Sequence, residues 1–113
     1  MSERTHSLLL EDIMVAIAAI LEYTQGYSYE QYENDLKTKH AVERNFEIIG
    51  EAASRISENY KETHAHIEWR IIKDFRYFII HDYFGINDTI VWDTIQFRLH
   101  DLLTDVSALP STE

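Results

Sequence analysis

A chain of 113 residues is the length of one domain, and with no cysteine it has neither disulfides nor thiolate metal ligands to brace it. A formal net charge of −10 repels nucleic acid at long range, so any nucleic-acid chemistry needs a local cationic site or a basic partner. No apolar run reaches the roughly 18 residues of a spanning helix, and the opening "MSERTHSLLLED" lacks the apolar centre of a signal peptide. A soluble, cytoplasmic protein is expected.

With three glycines and one proline, the chain has few places to break an element. It is predicted to be all-α, a single domain over 1–113 built as an up-and-down four-helix bundle with an extra short helix. The 45% hydrophobic content supports a real core. A domain this small still exposes much of its surface, which makes dimerisation useful.

The first helix is expected from about Glu3 to Tyr23, with Leu9, Ile13, Ala16, Ile17 and Ile20 on one face. Gly26 suits the left-handed position that ends a helix. Ser28 and Gln31 form a capping box at the start of the short helix, whose tyrosines (Tyr27, Tyr29, Tyr32) can cover one end of the core. A third helix is predicted from about Thr38 to Glu58, burying Val42, Phe46, Ile49, Ala52, Ala53 and Ile56. Asn45 falls on its apolar face. Gly50 sits in mid-helix at a cost of about 1 kcal/mol against alanine, and close approach of another helix is the ordinary reason.

The stretch "NYKETHAHIEW" reads as a polar connection. His64 and His66 lack a third ligand at useful spacing, so no metal site is expected, and no cofactor. The fourth helix is predicted from about Glu68 to Asp82, with Trp69, Ile72, Phe75, Ile79 and Ile80 inward and Gly85 ending it. Asn87 or Asp88 caps a fifth helix running to about Ala108, with Ile90, Val91, Ile95, Leu99, Leu102, Leu103 and Val106 as its stripe.

Polar residues interrupt the apolar segment "RYFIIHDYFG" at Arg76, His81 and Tyr83, spaced R-x4-H-x-Y. On a straight helix Arg76 and His81 point about 140° apart. They share a site only if the helix loosens near Asp82 or if two copies of the chain meet across a two-fold axis. The second arrangement suits metal-independent cleavage of RNA, in which the 2′-hydroxyl attacks its own phosphodiester. That reaction needs a base, an acid and a cation on the phosphorane. Histidine can fill either proton role, and arginine forks onto phosphate oxygens. Six arginines and six histidines also place this spacing in a chain by chance, so a purely structural role stays open. Arg70, Lys73 and Arg76 form a basic strip on the fourth helix, diluted by Asp74.

The segments "LEDIMVAIAAILEYT", "AVERNFEIIGEAASRI" and "WRIIKDFRYFIIHDYFGINDTIVWDTI" resemble, in order and over nearly the whole chain, the HEPN superfamily, specifically the HepT-like toxins of type VII toxin–antitoxin systems. The resemblance implies a homodimer with Arg76 and His81 as endoribonuclease residues at the cleft between protomers, and RNA as substrate. It also implies a minimal (MNT-type) nucleotidyltransferase antitoxin that AMPylates Tyr83. Where the family commonly has a small polar residue after the arginine, this chain has Tyr77, larger but still able to donate a hydrogen bond. Arg70, Lys73, Tyr77 and Asn45 are candidates for substrate binding or support. Two other readings compete: a non-catalytic helical partner or substrate-binding module of such a nucleotidyltransferase, and a structural dimer without chemistry.

Overall fold

The computed structural model describes the backbone of residues 5–80 and 86–110 and the side chains of 5–76 and 86–110. Helix starts are written in the sequence as short polar residues. Thr5 caps α1 (His6–Tyr23) by accepting from the Leu8 amide at 3.4 Å. Ser28 and Gln31 close the capping box of α2 (Tyr29–Glu33), with bonds of 3.1 and 2.8 Å. Each such cap satisfies an amide that the first helical turn leaves without a partner. Asp35 caps α3 (Leu36–Arg55), which therefore starts two residues before Thr38 and stops three before Glu58. The Asp35 carboxylate accepts from the Thr38 amide (3.1 Å), the Thr38 hydroxyl (2.7 Å) and the Tyr27 hydroxyl (2.7 Å). Those three donors hold its pKa down to about 2, the Tyr27 hydroxyl contributing most.

Two further differences from the sequence reading concern whole elements. Ser57 caps a further helix, α4 (Glu58–Thr63), which runs from the predicted end of the third helix into the stretch read as a connection. Six residues are too few for periodicity to reveal. The helix expected over residues 88–108 is interrupted at Arg98, whose φ of −128° leaves the helical region, giving α6 (Asp88–Phe97) and α7 (Leu99–Ser107). Just before the break, the Thr94 hydroxyl bonds the Ile90 carbonyl at 2.8 Å, a back-bond that bends helices. Between α4 and α6 lies α5 (Trp69–Ile80). Gly26 has the expected left-handed φ, +78°.

Every regular element among the described residues is a helix. The central helix, α3, packs against α1 on one side and α5 on the other, while α7 lies on α1 and α2 bridges α3 and α6. The α6–α7 pair takes the place of the expected fourth long helix, with α2 and α4 as short additions. The predicted faces of α1 and α3 are buried: Ile13, Ile17, Ile20, Val42, Phe46 and Ile49 are fully enclosed. Burying chains of this size stabilises by about 1.5–3 kcal/mol each. Ile90 is a correction. It is 47% exposed, because α6 turns the predicted Val91 and Ile95 inward together with Thr94 and leaves Ile90 at the edge of that face. No helix of the described residues is long and apolar enough to cross a membrane.

Tyr32 closes one end of the core, fully buried, its ring 5.4 Å from that of Trp92. Burial pushes the pKa of its hydroxyl up. At the far end Tyr60 stacks between His6 (4.6 Å) and His64 (4.3 Å) and donates to the Pro110 carbonyl at 3.0 Å. The His64 carbonyl accepts from Trp69 Nε1 at 3.1 Å. His64 thus serves the core. Its ring stands 6.4 Å from that of His66, and among the described residues no three side chains of metal-ligating type converge.

Candidate functional site

Arg76 lies in the last turn and a half of α5, with its side chain exposed. Its main chain, by contrast, is pressed against α3 at Gly50. A Cβ built on Gly50 would overlap the Arg76 Cβ and would lie 3.0 Å from the Arg76 nitrogen and 3.2 Å from its Cα. The mid-helix glycine is therefore explained by close approach of another helix, at the arginine itself. One turn earlier, Phe46 and Phe75 meet edge to face at 5.2 Å, both buried. These two contacts fix the height and rotation of α5 on α3.

Arg70, Lys73 and Arg76 are all exposed, and none of them has a carboxylate partner among the described residues. Arg70 and Lys73 border an open groove of about 770 Å³ between α4 and α5, floored by Ile67 and Trp69, with Lys61, Glu62 and Asp74 on its rim. Asn45 is half-buried and spends its amide on its own helix, Nδ2 donating to the Ala41 carbonyl at 2.8 Å. It stands five residues before Gly50, about 140° round α3. Tyr77 belongs to α5 by backbone, but its side chain lies outside the described residues, as do His81, Asp82, Tyr83 and Gly85 entirely. Arg76 is thus the one member of the R-x4-H-x-Y triplet whose surroundings are described.

The chain re-enters the described structure at Ile86, where an anchorage that sequence reasoning missed holds the start of α6. Lys39 Nζ of α3 pairs with Asp88 at 2.7 Å, both side chains less than one-fifth exposed. Asn87, one of the two caps proposed, accepts from the Thr89 and Ile90 amides at 3.0 and 3.2 Å. Tyr29 and Thr89 hydroxyls meet at 3.3 Å. The hydrogen bond that Lys39 donates to Asp88 raises the lysine pKa against the opposing effect of burial. Partners 49 residues apart leave no periodic trace in a sequence, so only the acidic first turn of α6 was readable.

Glu43, one turn along α3 from Lys39, has its pKa raised, first by burial, with Asp88 and Glu47 adding to the shift and His40 and Lys39 opposing it. A carboxyl with a raised folded-state pKa binds its proton more tightly in the fold than in the unfolded chain. It therefore favours folding at low pH, and that contribution is lost as pH rises through the folded-state value. Glu43→Gln is expected to melt at a higher temperature than wild type at pH 7. The difference should shrink towards zero below the unfolded glutamate pKa of about 4.3. Parallel thermal melts at pH 7 and pH 4 check this; a lower melting temperature at pH 7 contradicts it.

The described residues thus form a helical bundle in which Arg76 stands exposed at a tight helix crossing, with Arg70 and Lys73 on the same helix, none of the three having a carboxylate partner among the described residues. A family model described as "Ribonuclease HepT-like" matches residues 13–109, and the chain belongs to that family. It is 40% identical over 94 residues to "Probable ribonuclease HepT" of Thermococcus cleftensis, covering 83% of this chain and 86% of that one. It is 33% identical to "Putative RNase TTE0752" of Caldanaerobacter subterraneus subsp. tengcongensis, covering 92% and 93%. "Putative RNase MJ1216" of Methanocaldococcus jannaschii is 31% identical, with 90% and 84% covered. No solved structure matches the chain.

Proposed function

We propose that this chain is a metal-independent endoribonuclease, the toxin of a cytoplasmic toxin–antitoxin pair, acting as a homodimer with Arg76 and His81 of both protomers at a shared cleft. The observation that carries the reading is the exposed Arg76 guanidinium, without a carboxylate partner among the described residues, in a chain of the HepT-like ribonuclease family. An arginine left without an internal partner is available to a phosphate.

In the reaction, one His81 removes the proton of the RNA 2′-hydroxyl as the oxygen attacks the adjacent phosphorus. The phosphorane's charge is met by the guanidinium groups. The second His81 gives its proton to the departing 5′-oxygen, leaving a 2′,3′-cyclic phosphate and a 5′-hydroxyl end. Arg70 and Lys73 hold flanking phosphates. Because the net charge of −10 opposes RNA everywhere else, binding is weak and falls steeply with salt.

The same acidity favours a second reading, in which the chain is a non-catalytic partner of a minimal nucleotidyltransferase. Purified protein given labelled RNA in EDTA separates the two. The nuclease reading expects cleavage that is lost in both Arg76→Ala and His81→Ala, whereas the partner reading expects no cleavage by wild type. Tyr83 is proposed as the site where the antitoxin attaches AMP. The added charge and bulk two residues from His81 would repel an RNA phosphate. Intact-mass measurement after incubation with that enzyme and ATP should show AMP on wild type and none on Tyr83→Phe; equal labelling of both would reject Tyr83.

A further inference from the structure

We infer that Gly50 is a positioning residue for Arg76: the glycine is the seat on which α5 rests at the arginine, and it sets where the guanidinium emerges. The inference rests on the reading of Arg76 given above. Its support is geometric. Arg76 is exposed, yet its Cβ, Cα and nitrogen all lie against the bare Cα of a buried glycine on the facing helix. The root of the side chain is thus held between two helices while its head is in solvent. The Phe46–Phe75 contact one turn away prevents α5 from sliding along α3 to relieve an added atom at residue 50. Main-chain atoms at that distance cannot swing aside as the end of a flexible side chain can, so α5 must move as a body.

Substituting alanine for a helical glycine ordinarily favours the helix. If Gly50 were merely tolerated, Gly50→Ala would raise the melting temperature and leave catalysis alone. If it is the seat, the same change lowers the melting temperature and displaces the arginine by a distance on the order of 1 Å. A misplacement of that size costs about 100-fold in rate.

The test is a cycle on RNA cleavage with wild type, Gly50→Ala, Arg76→Ala and the double variant. Gly50→Ala should lower kcat about 100-fold with KM changed far less. In its background Arg76→Ala should cost little more, because both changes remove one interaction. A general weakening of the fold would leave the two losses multiplying. Wild-type kcat in Gly50→Ala, or multiplying losses, overturns the positioning role while leaving the Arg76 assignment intact. If wild type cuts no RNA, or Arg76→Ala cuts as fast as wild type, the functional reading itself falls and this role with it. Should Gly50→Ala fail to fold, Phe46→Leu, which loosens the same crossing without adding an atom, carries the test: under conditions where it is fully folded, a lowered kcat with KM little changed supports the positioning role, and wild-type kcat refutes it.

Discussion

Arg76→Ala is expected to keep the fold and lose about 10²–10³-fold in RNA cleavage, the range seen when a preorganised charge-stabilising donor is removed. The stability side follows from exposure and from the lack of an ion pair to break among the described residues. Alanine also retains the Cβ that packs over Gly50, so the α3–α5 crossing survives. Exposed substitutions of this kind stay within about 0.5 kcal/mol of wild type. His81→Ala should lose about 10²–10⁴-fold, the value of a positioned acid or base. The double variant should be little worse than the more damaged single one, since the two groups serve one transition state. Initial rates on a labelled RNA, taken beside a thermal melt of each variant, read both quantities. A parallel fall in melting temperature would move Arg76 from chemistry to architecture.

The other large effect is on stability. Phe46→Ala is expected to cost about 3–5 kcal/mol, the loss typical of a fully buried phenylalanine and the cavity it leaves. The edge-to-face contact with Phe75 adds about 0.5–1.5 kcal/mol to what is lost. A domain of this size is stable by about 5–15 kcal/mol in total, so the variant should be partly unfolded at modest temperature. Phe46→Leu keeps most of the volume and should cost clearly less. Urea unfolding with an unchanged slope measures both, and a Phe46→Ala cost below about 1 kcal/mol would mean that the α3–α5 interface collapses around the gap. Because this pair also holds the register of the Gly50–Arg76 crossing, the leucine variant should lose more nuclease activity than its stability alone would suggest.

The local rules were legible. Ser28 with Gln31, Gly26 and Asn87 carried out the capping and turn roles read from residue type, because those roles depend only on neighbours within a turn. The inward faces of α1 and α3 were readable from spacing, since a helix repeats its face every 3.6 residues or so whatever it packs against. Where the local signal was short it failed: α4 has six residues and no periodicity to detect. Ile90 failed for the opposite reason. Val91 and Ile95 of its predicted stripe are buried, but Thr94 joins them and Ile90 is left outside, because which adjacent position faces inward depends on how the helix is set against its neighbours.

The sequence by itself determined an all-helical chain, its main apolar faces and the residue types at the candidate site, because helix periodicity and side-chain chemistry are local properties. Only the tertiary structure decided that Gly50 meets Arg76, that Lys39 pairs with Asp88, and that Arg70, Lys73 and Arg76 stand without carboxylate partners among the described residues. Each of those depends on how far two helices approach and how one is rotated against the other. Steric packing across a whole interface fixes both quantities, and no spacing along the chain records them.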